Sequence, residues 1–264
     1  MPAGQRVAEE DGDWALEASG VSKRFPVAGV EAGDDTRVRD GVLTALDAVS
    51  LRVRRGECLV IGGANGSGKS LFMAIIAGLE TPTSGFVKTA GRVGLVFQDP
   101  DSQILGETPR EDVAFGPGNM RLSKAVIAER VERALAAVGL GAKAEYPAHS
   151  LSGGEKRRLA VAGVLAMDAD ILIFDEPYAN LDYAGVKQVN TLIEKLLSQG
   201  KTVIILTHEL EKCLGMAQRF AVLYEGKKVF DGAPTEALAL DNIERWGIRN
   251  PLSAYSNIGD LVWH

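Results

Sequence analysis

The chain has 264 residues, of which 46% are hydrophobic and 24% charged, and its formal net charge is −6. This length predicts one large domain or two small ones, and the composition is that of an ordinary globular protein. The acidic balance argues against a nucleic-acid partner, because a general nucleic-acid binder usually has a basic surface.

The apolar segments are too short to cross a membrane, since none approaches the roughly 20 apolar residues of a spanning helix. The acidic N-terminus also lacks the apolar run of a secretory signal. Cys58 and Cys213 lie in apolar strand and helix patterns, which predicts buried thiols in a reducing compartment and no disulfide. Any role at a membrane is therefore expected to depend on a partner protein.

The first part of the chain is predicted to form an antiparallel sheet. Residues 14–25 and 43–53 have strand patterns, and the polar, acidic segment 26–41 between them is predicted to be a solvated hairpin loop. A turn is predicted at 81–85. Further strands are predicted at residues 57–62, 91–97, 171–174, 202–206, 219–224 and 227–230, and helices from residue 70, over 123–140, from about 155 to 167 and over 185–198. This alternation predicts an α/β fold with a mostly parallel sheet covered by helices on both faces.

Residues 63–70 match the phosphate-binding pattern G-x-x-x-x-G-K-[ST] at every fixed position. A predicted strand precedes them and a predicted helix follows, which is the setting the motif requires. The glycines let backbone N–H groups turn inward around an anion, and the helix start adds further free N–H groups. Lys69 is expected to reach the outer phosphates, and the Ser70 hydroxyl to bind Mg²⁺. The predicted nucleotide contacts are Asn65, Gly66, Ser67, Gly68, Lys69, Ser70 and Leu71.

Polar residues follow the other apolar strands. Gln98, Asp175 and His208 each come after the carboxyl end of a predicted strand, as the phosphate loop does. Ligands of open α/β sheets bind at these strand ends. The four segments are therefore expected to meet in one site.

In this order the motifs resemble those of the ATP-binding-cassette (ABC) ATPases, and the resemblance covers about residues 16–232. It implies a P-loop NTPase of ABC type with an N-terminal antiparallel β subdomain, and hydrolysis of ATP with Mg²⁺. Asp175, Gln98 and Ser70 would hold the metal. Glu176 would act as the general base on the attacking water, and His208 would contact the γ-phosphate and position Glu176.

Two further motifs resemble ABC segments that act across a dimer. Residues 151–155 resemble the ABC signature, in which Ser152, Gly153 and Gly154 bind the γ-phosphate held by the other subunit. The same residues also read as a helix-capping box, and the two interpretations are compatible. Asp182 resembles the D-loop aspartate. The resemblance therefore implies ATP sandwiched between two ATPase chains, as a homodimer or as a heterodimer with a related ATPase.

Other features are less specific. Phe25 would stack on adenine, although a core aromatic is the alternative interpretation. Tyr178 and Tyr183 stand where the family often has other residues, and both are expected at the dimer seam. The predicted divisions are an N-terminal tail (1–13), an ATPase domain (14–232) with a helical subdomain at about 99–168, and a C-terminal extension (233–264) that covers the core or joins the dimer.

Residues 97–103, 111–117 and 154–167 are similar to energy-coupling-factor (ECF) transporter ATPases, which serve vitamin or nickel and cobalt uptake. That similarity implies a transmembrane scaffold (T), a substrate-binding membrane protein (S) and a peripheral position on the cytoplasmic side of the membrane. Residues expected to contact the scaffold are Gln103, Glu111, Asp112 and Phe115. Glu111 and Asp112 can also be read as the first turn of a helix. Another ABC importer or exporter, or a non-transport ABC ATPase, remains the alternative.

Overall fold

The computed structural model describes residues 13–27, 37–240 and 243–253. Strands β1 to β10 are, in chain order, Trp14–Pro26, Val38–Arg39, Val42–Arg54, Cys58–Gly62, Ser84–Thr89, Val93–Val96, Ile171–Asp175, Thr202–Leu206, Arg219–Tyr224 and Lys227–Gly232. Helices α1 to α6 are Lys69–Ile76, Pro109–Asn119, Lys124–Ala137, Gly153–Ala166, Tyr183–Ser198 and Pro234–Leu238.

The N-terminal strands form an antiparallel sheet in the order β2-β3-β1-β5. Strands β1 and β3 pair along most of their length, as the sequence predicts. The turn predicted at 81–85 is partly wrong, because Ser84 already begins β5, which pairs with β1. Strand β5 is almost wholly exposed and therefore lacks the alternation of apolar and polar residues that marks a half-buried strand.

The second sheet contains the predicted parallel core, in the order β10-β9-β4-β8-β7-β6. Strand β4 pairs in parallel with β8 and β9, and β7 pairs in parallel with β6 and β8. Strand β10 pairs antiparallel with β9 at one edge. The continuous apolar runs in β4, β7 and β8 are buried on both faces, as is typical of parallel sheets. The α/β fold predicted from the sequence is confirmed.

Alternate residues of the central strands face two different cores. Leu59, Ile173 and Ile204 pack with helix α1 and the N-terminal sheet. Val60, Phe174 and Ile205 pack on the other side with the remaining helices. The phosphate loop follows β4, whose alternate residues thus contribute to both cores.

Helices α2, α3 and α4 pack against one another. Ser123 caps α3, whose last helical residue is Ala137, three residues before the predicted end at 140. Helix α2 is capped by Thr108 and carries Glu111 in its first turn, as in the helical interpretation of that segment. Helix α4 begins after Ser152, with the predicted capping box formed.

The C-terminal extension covers the core. Ile243, Trp246 and Ile248 are buried, and the Trp246 ring lies 6.2 Å from that of Phe230, measured between centroids. Of the two roles expected for this extension, the described part therefore has the covering one, while residues 261–263 lie outside the described residues. Both cysteines are free and buried, as predicted, although Cys213 lies in a connection between short 3-10 turns and not in a helix.

Candidate active site

The phosphate loop depends on glycine at two positions. Gly63 has φ +140°, and a Cβ there would lie 2.0 Å from the carbonyl oxygen of Leu223. Gly68 has φ +99°, and a Cβ there would lie 2.8 Å from the Leu46 side chain. Only glycine adopts these conformations at such close approaches without strain. Helix α1 starts at the next residue, so its free N–H groups face the loop.

The Lys69 side chain lies inside this loop. Its ammonium donates to the carbonyl oxygens of Gly63 at 2.7 Å and Ala64 at 3.1 Å. Burial lowers the pKa of Lys69, and the nearby Glu176 and Asp175 carboxylates oppose that effect. The two hydrogen-bond partners are neutral, and Lys69 forms no ion pair with any described residue, so its cation can bind an anion.

Asp175 is the last residue of β7 and contacts the start of α1. Burial raises the pKa of Asp175, and the nearby Ser70 hydroxyl opposes this effect. Its Oδ1 is buried and has no hydrogen-bond partner among the described residues. A buried carboxylate oxygen without a partner, beside a hydroxyl, fits the hard oxygen ligands that Mg²⁺ requires. The residues present therefore suit this metal.

Glu176 follows at the end of the same strand, in a left-handed conformation with φ +47°. Its backbone N–H donates to the Leu206 carbonyl at 2.9 Å, and Nδ1 of His208 lies 3.0 Å from its Oε1. Oε2 is buried and has no partner in the described part of the chain. A glutamate with positive φ is uncommon, and such strain concentrates at functional sites.

Gln98 lies two residues beyond β6 with an exposed side chain. Its backbone carbonyl accepts from the Arg157 guanidinium at 3.2 Å. The structure thus brings the phosphate loop, Asp175, Glu176 and His208 together, while the hydrogen bond that Gln98 forms within the described residues uses its main chain.

The predicted scaffold-contact residues have different surroundings. The Gln103 amide accepts from Phe97 N–H at 3.0 Å and donates to Leu95 carbonyl at 3.1 Å, so it anchors its segment to β6. Asp112 accepts from the N–H groups of Leu105 and Gly106, and burial raises its pKa.

Phe115, which belongs to this set, faces outward together with Leu105, which the prediction did not include. Phe115 is 54% exposed and Leu105 is 67% exposed. They line a groove with Gly116 and Met167. Glu111 is also exposed, and its carboxylate accepts a hydrogen bond from Glu107 N–H, at 3.2 Å. The described contacts of Glu111 and Asp112 are those of a helix start, and their scaffold role stays a prediction.

The signature segment is built as a helix start. Ser152 Oγ accepts from Glu155 N–H, and the Glu155 carboxylate accepts from Ser152 N–H. The Lys143 ammonium, 2.6 Å away, is the main reason why the pKa of Glu155 is lowered to about 2. Within the described part of the chain, nothing lies within 4 Å of a Cβ added at Gly153 or Gly154. The described contacts therefore show no packing need for either glycine.

Asp182 caps helix α5, since its carboxylate accepts from Gly185 N–H at 2.7 Å. Tyr183 is 80% exposed beside it. Tyr178 is fully buried, so its expected place at the dimer seam is wrong. Its hydroxyl donates to Asn190 at 2.8 Å, and burial raises its pKa. A tyrosine is amphipathic, and sequence alone does not say which of two nearby tyrosines is buried.

Phe25 is half-buried in β1, with the Lys23 ammonium 5.2 Å from its ring centroid. Two arginines that sequence reasoning missed lie close to the site. Arg37 donates to the Gly66 carbonyl of the phosphate loop at 2.8 Å, and Arg157 holds Gln98. Long-range contacts of this kind have no local signal, although a charged residue on the apolar face of α4 was a clue for Arg157.

A parallel sheet with a phosphate loop after one strand and carboxylates after another is typical of a P-loop NTPase. The chain also matches the ABC transporter family over residues 46–179. It belongs to this family and is an ABC-type ATPase, as the motifs indicated.

The chain is also similar to curated proteins that are named as ATP-binding proteins of transporters. The chain is 41% identical over 228 residues to the cobalt import ATP-binding protein CbiO of Rhodobacter capsulatus, covering 80% of this chain and 81% of the relative. It is 39% identical over 224 residues to the energy-coupling factor transporter ATP-binding protein EcfA2 of Methanospirillum hungatei. That match covers 79% of this chain but only 56% of the longer relative.

Solved structures have the same fold. The structure of cbiO1 from Clostridium perfringens, described as part of the ABC transporter complex cbiONQ, has a TM-score of 0.73 and 32% identity, covering 88% of this chain and 94% of that one. The ATP-binding cassette MJ0796, in a dimeric post-hydrolysis state with ADP and Pi, has a TM-score of 0.69 and 26% identity, covering 83% and 98%. Among the described residues, no helix combines the length and apolar character needed to cross a bilayer.

Proposed function

We propose that this protein is the ATP-hydrolysing subunit of an ECF-type ABC importer, which takes up a vitamin or a transition-metal ion. The observation that carries the catalytic part is the pair formed by Glu176 Oε1 and His208 Nδ1, 3.0 Å apart, beside Lys69 and Asp175. The transport part is supported by relatives named as energy-coupling factor and cobalt import ATPases.

In the proposed reaction, Glu176 accepts a proton from the water that attacks the γ-phosphate. His208 holds one carboxylate oxygen, and the buried second oxygen is left to face the water. Lys69 exchanges its two carbonyl partners for phosphate oxygens and stabilises their charge. Ser70, Asp175 and Gln98 would hold Mg²⁺, which neutralises phosphate charge when bound.

The signature segment is proposed to complete the site of a second ATPase chain. Gly153 and Gly154 leave the start of α4 open, and a helix start with free N–H groups is suited to a phosphate. Ser152 and Asp182 belong to the same face in this proposal. Because the chain carries every motif, two copies of it would complete two ATP sites.

The groove beside Phe115 and Leu105 is proposed to receive a helix of the membrane scaffold. Both side chains are apolar and exposed, which is the pattern of a helix-in-groove contact. Gln103, Glu111 and Asp112 shape this segment through their hydrogen bonds. The ATPase would thus lie at the cytoplasmic membrane surface through its scaffold, and the S component would choose the substrate.

Glu176→Gln tests the catalytic assignment. We expect it to trap an ATP-bound dimer with little turnover, because the amide cannot accept the proton of the water. The measurements are phosphate release and size-exclusion chromatography with ATP. Glu211→Gln, which changes an exposed carboxylate nearby, should behave as wild type. Wild-type turnover in Glu176→Gln would refute the assignment of the base.

An affinity pull-down of the tagged chain from its native membranes, with mass spectrometry, tests the transport assignment. We expect a small transmembrane scaffold and a compact apolar S protein, whose identity would indicate the substrate. A conventional permease pair with a binding protein would leave the ATPase assignment intact and replace the ECF assignment. Recovery of ribosomal or DNA-bound partners without any membrane protein would contradict transport.

A further inference from the structure

Arg157 is a buried cation near the proposed active site that the proposed mechanism does not use. It lies on α4, one turn beyond Gly153, and is 6% exposed. Among the described residues its hydrogen-bond partners are all main-chain carbonyls. Both terminal nitrogens donate to the Ala179 carbonyl at 3.2 Å, and one of them also donates to the Gln98 carbonyl at 3.2 Å.

The two carbonyls belong to different functional segments. Gln98 begins the segment that leads to the proposed scaffold groove, and Ala179 lies three residues before Asp182, on the face proposed to meet the second ATPase chain. Arg157 itself belongs to the helix that starts with the signature glycines. One guanidinium therefore joins three segments that are far apart in sequence.

A packing role alone does not explain why a charged side chain occupies the buried position of Arg157. Burial lowers the pKa of Arg157, and its Nε is buried without a partner in the described part of the chain. A buried cation is costly unless its hydrogen bonds compensate, and an apolar side chain of similar size would avoid that cost. The planar guanidinium, however, has several donors in fixed directions, which lets it hold two carbonyls at once.

The neighbouring basic residues reinforce the same connections. Lys156 bonds to Asp101, three residues after Gln98, at 2.6 Å. Arg158 donates to Gln188 of α5, the helix that Asp182 caps, at 2.5 Å. The three consecutive residues thus tie α4 to the segment after β6 on one side and to the segment after β7 on the other.

We propose that Arg157 is a positioning residue that couples the Gln98 segment and the Ala179–Asp182 segment to the signature helix. A shift of the scaffold-facing segment is thereby transmitted to the dimer face, and closure of the dimer is transmitted back. The positions of Gln98 and Asp182 in the closed state depend on this link, while nucleotide contacts with the phosphate loop do not. The link between segments stands on this chain alone, and its effect on closure rests on the proposed pairing of two ATPase chains.

The first measurement is hydrogen exchange of the full chain carrying Arg157→Met. We expect amide exchange to rise about tenfold in peptides covering both 96–103 and 177–183, because both segments lose their link, and to stay unchanged around 63–70. Arg130→Met is the matched control. Arg130 likewise donates to a main-chain carbonyl, that of Ala166 on α4, at 3.3 Å, but among the described residues it bonds to neither segment. Unchanged exchange in either segment of Arg157→Met would overturn the proposal.

The second measurement places the same substitutions in the Glu176→Gln background and follows dimer formation against ATP concentration. We expect the midpoint to rise about tenfold for Arg157→Met, within the usual range of coupling between sites, and to stay within about twofold for Arg130→Met. Binding of a fluorescent ATP analogue to the monomer should be unchanged, whereas a general loss of folding would weaken it too. An unchanged midpoint would overturn the coupling.

If Arg157→Met does not fold, Arg157→Lys is the variant for both measurements. Lysine retains the charge but not the fork that spans two carbonyls, so we expect a smaller rise in exchange in at least one segment and a higher dimer midpoint. Wild-type values in both measurements would overturn the proposal. If Glu176→Gln itself forms no dimer with ATP, the proposed pairing fails, and the exchange measurement still decides the link between segments.

Discussion

The conformation and burial of the proposed base and its neighbours do not follow from their amino-acid types. Glu176 has a left-handed conformation, and Tyr178, two residues later, is fully buried. The Tyr178 hydroxyl donates to Asn190, whose amide in turn donates to the Lys212 carbonyl at 2.7 Å. This chain of hydrogen bonds fixes the segment after β7 to the segment that follows His208. A core residue therefore links these two segments, and among the described residues its hydrogen bonds do not involve the phosphate loop.

Tyr178→Phe tests this buried chain. It removes the hydroxyl and leaves the Asn190 oxygen without its donor, which should lower the free energy of unfolding by about 1–3 kcal/mol. Urea unfolding followed by circular dichroism measures the change. Tyr183→Phe is the control, because that side chain is 80% exposed and should cost little. Equal stability of Tyr178→Phe and wild type would show that the hydrogen bond contributes nothing.

The start of helix α4 combines a structural and a proposed functional role. Ser152 and Glu155 cap the helix reciprocally, and Lys143 adds an ion pair to Glu155. These contacts fix the direction of the first helical turn, where the signature glycines lie. Ordinary helix capping thus supports the surface proposed to bind phosphate.

Two substitutions at Glu155 distinguish the stability contributed by its capping hydrogen bond from that contributed by its negative charge. Glu155→Ala removes both and should cost about 1 kcal/mol, whereas Glu155→Gln keeps the cap and loses only the ion pair, which should cost a few tenths to about 1 kcal/mol at a surface site. Urea unfolding near neutral pH measures both. A cost for glutamine as large as for alanine would contradict the separation.

The pH dependence follows from the lowered pKa of Glu155, about 2. A group whose pKa is lower in the folded state contributes stability above its unfolded pKa, roughly 4.3, and loses it as the pH falls toward the folded value. The difference in stability between wild type and Glu155→Gln should therefore be constant above about pH 5 and shrink below it. An increase of this stability difference at acidic pH would contradict the prediction.

At the scale of the whole molecule, the two open glycines at the start of α4 bear on the proposed pairing with a second ATPase chain. Among the described residues, nothing lies within 4 Å of a Cβ added at either position, and glycine is a poorer helix former than alanine. The described contacts therefore give no packing reason for either glycine. A closely approaching nucleotide on a second chain would explain both.

Gly153→Ala separates folding from assembly. We expect a melting temperature equal to or above that of wild type, because alanine favours the helix by up to about 1 kcal/mol, together with a large loss of ATP turnover and of ATP-dependent dimerisation. Gly118→Ala, at an equally open helical position in α2, is the control and should retain turnover. Full turnover in Gly153→Ala would argue against a phosphate contact at this surface.

The sequence by itself determined the local and periodic features. Residues 63–70 specified the phosphate loop because its glycines and lysine follow from the backbone geometry of anion binding, and the apolar runs of β4, β7 and β8 specified a parallel sheet because both faces are buried. The capping box at Ser152 could likewise be predicted from the sequence. Each of these signals lies within a few consecutive residues. The family resemblance rested in addition on the order in which the motifs occur along the chain.

Only the tertiary structure decided the features that depend on distant neighbours. Strand β5 exists through its pairing with β1, and Trp246 covers the core through contact with Phe230. Tyr178 is buried while Tyr183 is exposed. Arg157 meets carbonyls 22 and 59 residues away. Burial and long-range hydrogen bonds arise from which elements pack together, so a residue's own type and spacing do not encode them.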